Sequence, residues 1–103
     1  MKVKIPKTVP IAGFKAKVLS GGTVNEELRK AKVFGRWEDN QDGSFIKIDD
    51  SATPCNISNT FIHECIEGIN AIYLDSTLKH TEITAIANGL HQIFEGMGLR
   101  FVK

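Results

Sequence analysis

His63-Glu64-Cys65-Ile66-Glu67 sets an imidazole and a carboxylate at i and i+4, with a second carboxylate directly after the imidazole. On a helix, residues four apart project from one face about one turn from each other, close enough to share a metal ion. With histidine at both ends the pattern is the H-E-x-x-H zinc spacing, in which the first glutamate acts as general base toward water. Here Glu67 stands where the second histidine would be. Glutamate also ligates zinc, but its extra negative charge acidifies a bound water less and shifts preference toward harder ions such as manganese or magnesium. The same letters also fit a plainer description, the solvated polar face of an amphipathic helix.

A metal held by His63 and Glu67 needs a third ligand from elsewhere. Between Asn56 and Leu74, the residues Phe61, Ile62, Cys65, Ile66, Ile69, Ile72 and Tyr73 share one side of a helical wheel, with His63, Glu64 and Glu67 on the other. After the polar connection "DSTLKH", Ile83, Ile86, Ala87, Leu90, Ile93, Phe94 and Met97 form the stripe of a second helix that ends near Gly96 or Gly98. A symmetric hairpin centred on the connection brings His91 opposite His63, which makes His91 the expected third ligand. His80 and Glu82, near the closed end, are the alternatives. His80 and His91 stand about 16 Å apart along one helix, so a single ion cannot take both.

The preceding half must supply the sheet that carries this hairpin. "VKIP", "PIAGFKAKVLS", "AKVFGRW" and "SFIKID" alternate apolar and polar residues as one-sided strands do. Asp42-Gly43 marks a hairpin turn between the last two. Thr23, with Glu26 three residues on, has the spacing of a capping box for a short helix. "LRFVK" reads as a short extended tail. Strands followed by helices give an α+β class: an antiparallel sheet of about four strands packed on a C-terminal pair of helices.

Bulk composition narrows the partners. A chain of 103 residues with 42% hydrophobic and 24% charged residues has room for one domain, spanning residues 1–103. A net charge of +1 gives no electrostatic footprint for nucleic acid or an acidic membrane. No apolar run approaches the length of a bilayer crossing, and no signal-peptide pattern opens the chain. Two cysteines without a C-x-x-C pair fit a reducing, cytoplasmic setting. "EDNQDGSFIKID" fits a calcium loop only in part and is better read as the hairpin turn. Cys65 lies on the apolar face, so it reads as structural rather than as a nucleophile paired with His63. Cys55 falls at the helix start, in capping territory.

Four stretches in order carry a resemblance: "IPKTVPIAGFKAKV", "GRWEDNQDGSFIKID", "NTFIHECIEGI" and "ITAIANGLHQIF". Together they make the chain similar to the small phage- and prophage-encoded H-E-x-x-H proteins of zincin-like, minimal metallopeptidase type. That resemblance implies a zincin-like fold whose edge strand holds an extended peptide, zinc as the metal, His63 as first ligand and Glu64 as catalytic base. It departs at Glu67, which replaces a histidine, and at Thr84 and Ala85, where some relatives carry an acidic residue before Ala87-Asn88-Gly89. Three functions are therefore weighed: foremost a metal-dependent peptidase with His63, Glu67 and His91 on the metal, against it a non-catalytic module that keeps the fold and binds a peptide or protein partner, and behind both a regulatory metal-binding protein without hydrolysis.

Overall fold

The computed structural model describes residues 1–103. The elements are β1 (Lys2–Lys4), β2 (Thr8–Ile11), β3 (Phe14–Ser20), α1 (Gly22–Lys30), β4 (Gly35–Asn40), β5 (Gly43–Ile48), α2 (Pro54–Tyr73), α3 (His80–Gly96) and β6 (Arg100–Val102). The class is α+β, with the strands leading and the helical hairpin following, as the two hydrophobic periods require.

The sheet is mixed rather than antiparallel. Its order is β2-β3-β5-β4. β2–β3 and β4–β5 are antiparallel hairpins, but β3 and β5 run parallel, with Lys17 opposite Phe45. Helix α1 accounts for the difference. It carries the chain from the end of β3 to the start of β4 while packing on β3 and β5, so β4 starts from that same end and runs back along the outside. β5 then returns in the direction of β3 and fits between the two. The segment around Val3 is not in this sheet: β1 pairs in parallel with β6, Val3 opposite Phe101, as a separate two-stranded ribbon.

Local chemistry fixes each helix start. α1 begins before Thr23, at Gly22, with Gly21 as N-cap at φ 85° and no side chain capping it. The expected Thr23 cap is replaced by buried Asn25, whose Oδ1 accepts the N–H groups of Gly21 (2.9 Å) and Asp50 (3.2 Å) while its amide donates to Asp50 Oδ1 (2.7 Å). α2 begins after Thr53, whose Oγ1 accepts the Asn56 N–H at 3.3 Å, with Pro54 in the first turn.

Helix α2 is the centre of the molecule because two of its faces are covered. On one, Ile57 and Phe61 pack with Ile46 and Ile48 of the sheet. On the other, Ile62 and Ile66 pack with Ile83 and Ala87 of α3. Phe101 of β6 touches both clusters, its ring 5.0 Å from Phe61 and 6.2 Å from Phe94. Of the stripe read from the sequence, Ile69 and Tyr73 are exposed. They lie on the last turns of α2, beyond the start of α3.

Two glycines set how closely α2 approaches β4. A Cβ at Gly68 would stand 2.7 Å from Cζ3 of the Trp37 ring, and one at Gly35 would stand 2.4 Å from Thr60 Cγ2. Both distances are below van der Waals contact. Gly68→Ala is therefore expected to lower stability by about 1–3 kcal/mol in denaturant unfolding, despite alanine's better helix propensity. Gly89→Ala, on α3 with nothing within 4 Å of the new methyl, is the control and should hold or raise stability by up to ~1 kcal/mol.

Candidate functional site

The third side of α2 is left to the site. Successive residues turn about 100° around a helix, so Asn56, Thr60, His63 and Glu67 fall between the sheet-facing and α3-facing stripes. Glu64 falls at the border with the sheet. A groove of about 310 Å³ opens there between α2, α3 and the segment entering β4. His63 and Glu64 lie on its floor, Val33, Phe34 and Gly35 on one wall, and His80, Thr84 and Asn88 on the other. Asn59 Nδ2 donates to Asn88 Oδ1 at 3.0 Å across the helix pair.

Within this groove the ligand-type atoms converge. Glu67 Oε2 lies 3.4 Å from His63 Nε2 and 3.3 Å from His80 Nδ1. The two imidazoles are inclined at 58° with centroids 5.2 Å apart. All three ligand atoms fall within 4.8 Å of one another. Donors about 2.0–2.1 Å from a tetrahedral zinc lie roughly 3.3–3.4 Å from each other, so the two spacings to Glu67 match a coordination edge. The His80–Glu67 contact also meets the geometry of a hydrogen bond, whereas His63 and Glu67 stand only at ion-pair distance. A set of two nitrogens and one oxygen is a donor chemistry that zinc accepts.

Glu64 differs from its neighbours. It is only 6% exposed, lodged where α2 meets β4, with Cγ 3.1 Å from the position a Gly35 Cβ would take. Burial is the main force on its carboxyl and the nearby Glu67 charge adds to it; a backbone hydrogen bond from Trp37 and the Arg36 charge oppose them. Together they push its pKa to about 8. The sequence placed Glu64 on the solvated side with His63 and Glu67; the structure puts it against the sheet instead.

The expected third ligand also changes. His91 is not opposite His63; it lies beside Cys55, Sγ to Nε2 3.8 Å, at the far end of the hairpin. His80 takes the place next to Glu67. Glu82 is spent on the helix start, its Oε1 accepting the Lys79 N–H at 2.7 Å. The register departs from the symmetric one because the connection folds back along α2. Asp75 and Ser76 take left-handed backbone, at φ 51° and 58°. The Ser76 N–H donates to the Asn70 carbonyl (2.8 Å), and the Asn70 side chain binds both the N–H (3.0 Å) and the carbonyl (3.2 Å) of Leu78. Helix α3 therefore starts about two turns back from the end of α2, level with Glu67. Asn70 is buried there, which its place on the wheel near Asn59 and His63 did not signal.

The calcium-loop letters resolve into hairpin chemistry. Asn40 Oδ1 accepts the Asp42 N–H at 2.8 Å, Gly43 sits at φ 124°, and the Asp49 carboxylate accepts from Ser51 Oγ at 2.6 Å. No helix is long and apolar enough to cross a membrane. Compared with protein-family models, curated proteins and solved structures, the chain matches none of them.

The Glu64 environment has a measurable pH signature in protein stripped of metal. Its folded pKa of about 8 exceeds the ordinary value of 4.5, so between those values the native state holds a proton that the unfolded chain has released. Stability from this group is full below about pH 4.5 and declines as pH rises toward 8. The expected loss is on the order of 2–4 kcal/mol, read from urea midpoints across that range. Glu64→Gln should flatten the profile and be the more stable protein at pH 8.

Proposed function

We propose that the chain is a metal-dependent peptidase-like protein of zincin-like type. In this reading His63, Glu67 and His80 hold zinc or another divalent ion, and Glu64 is the catalytic base. The observation that carries it is the meeting of Glu67 Oε2 with both imidazoles at coordination-edge distances, beside a carboxylate buried in the same groove. The likeness of four stretches to phage and prophage H-E-x-x-H proteins supports the same reading, with His80 serving where His91 was expected.

A divalent ion at this position supplies Lewis acidity, which polarises a peptide carbonyl and acidifies water. The chain's own groups do the rest. Glu64 takes the proton of the attacking water and returns it to the departing amine. For that it must be ionised, and a cation held by its neighbours draws its raised pKa back toward the charged form. β4 is an outer strand of the sheet, and the residues entering it wall the groove, so an extended peptide can lie along its free edge by strand addition. The Asn88 side chain, held by Asn59, offers a polar contact to such a peptide at the opposite wall.

A second reading is a non-catalytic interaction module that uses the same groove and edge. It is favoured by Glu67 already having a partner in His80, to which it is hydrogen-bonded at 3.3 Å. Elemental analysis of protein purified without chelator separates the two. The peptidase reading expects His63→Ala and His80→Ala each to remove one equivalent of metal. Glu64→Gln should keep that equivalent while hydrolysis of a mixed peptide library falls by roughly 10²–10⁴. No difference in metal between the native protein and the histidine variants, with an equivalent gained in Glu67→His, would overturn the peptidase and leave the module.

A further inference from the structure

The groove is not the only place where ligand-type side chains meet. At the opposite end of the α2–α3 hairpin, Cys55 Sγ, His91 and Glu95 each place a donor atom within 4.8 Å of the other two. We infer that these three residues form a second metal site, whose sulfur, nitrogen and oxygen donors select a soft divalent ion, Zn²⁺ above all.

The geometry is built from three elements. Cys55 occupies the first turn of α2, and His91 and Glu95 stand at i and i+4 on the last turns of α3, so one face of α3 presents both toward the thiol. For a tetrahedral zinc with sulfur at about 2.3 Å and nitrogen at about 2.0–2.1 Å, the sulfur–nitrogen edge is roughly 3.6 Å. Cys55 Sγ and His91 Nε2 are 3.8 Å apart. The Glu95 carboxylate does not move freely: Arg100 Nε donates to Oε2 at 3.1 Å, and the Arg100 guanidinium also engages Oε1. A carboxylate has about four lone-pair sites, so two remain for an ion while Arg100 orients the group, the role that outer partners of ligating carboxylates commonly play.

The other cysteine has no such part. Cys65 packs against the sheet-side apolar cluster, and burial pushes its thiol up to about 11. Cys55 is exposed, which leaves the fourth coordination position open to water. Through these residues a bound ion would tie the start of α2 to the end of α3 and, by way of Arg100, to β6. The groove site holds only nitrogen and oxygen donors, so sulfur is the feature that tells the two apart.

That difference supplies the test. Reduced protein, stripped with chelator and then dialysed, is titrated with Co²⁺ and followed for a sulfur-to-cobalt charge-transfer band in the near ultraviolet. The band is expected to appear and to saturate at one thiolate-bound equivalent. It should vanish in Cys55→Ser, weaken at least tenfold in apparent affinity in His91→Ala, and persist in Cys65→Ala, His63→Ala and His80→Ala. Zn²⁺ should also raise the melting temperature of His63→Ala but not of the His63→Ala, Cys55→Ser double variant, with circular dichroism confirming that both are folded. Absence of the band at saturating Co²⁺, its survival in Cys55→Ser, or indifference to His91→Ala would overturn the inference. None of those results bears on the groove, which contributes no sulfur.

Discussion

The side chain of Asn70 sets the register on which both clusters depend. By binding the N–H and the carbonyl of Leu78, it turns the connection back along α2 and fixes where α3 begins. Glu67 then meets His80, Asn59 meets Asn88, and Cys55 meets His91. These pairs follow one antiparallel register to within a residue, so they are consequences of one constraint rather than separate coincidences. A buried amide with both ends satisfied is well suited to this role, because any slip of the hairpin would leave it and a backbone pair without partners in a dry environment.

A second constraint acts across the sheet. Gly35 and Gly68 let α2 settle onto β4 at a distance that no side chain at those positions would allow. The same approach strips water from Glu64 while His63, one residue earlier, stays near the surface with its side chain 18% exposed. Adjacent residues on one helix turn thus have different environments: His63 is partly open to solvent, and Glu64 has its protonation governed by burial. Trp37 covers Gly68 on the far side of Glu64 and completes the dry boundary.

Much of this was legible in the residues. The strand and helix periods gave the class and the order of elements, and Asp42-Gly43 gave the β4–β5 hairpin. His63, Glu64 and Glu67 were singled out by spacing alone, and the structure sets His63 and Glu67 3.4 Å apart. What the sequence could not supply was placement in three dimensions. The parallel β3–β5 pairing depends on where the α1 connection sets β4 down, which strand patterns do not encode. The placement of His80 rather than His91 beside Glu67 depends on two left-handed residues and one asparagine in a connection that looks symmetric on paper. Glu64 looked solvated because a helical wheel shows one apolar face, whereas α2 is covered on two. Thr23 had the letters of a cap, but Asn25 had the better partners.

Phe101 has a kinetic consequence. Its ring bridges the sheet-side and α3-side clusters, and its strand lies parallel to Val3, so contacts joining distant parts of the chain are needed before either cluster is sealed. The entropy of closing so long a loop grows only with the logarithm of its length, about 0.6 kcal/mol for each doubling, yet at this separation it totals about 4 kcal/mol, which the contacts of the ribbon must offset. It also bears on the route. Local hairpins and helices are expected to form early, and a parallel pairing at such sequence separation late. In that order both faces of α2 would stay open on the Phe101 side until the ribbon forms, the lock of the fold rather than its nucleus.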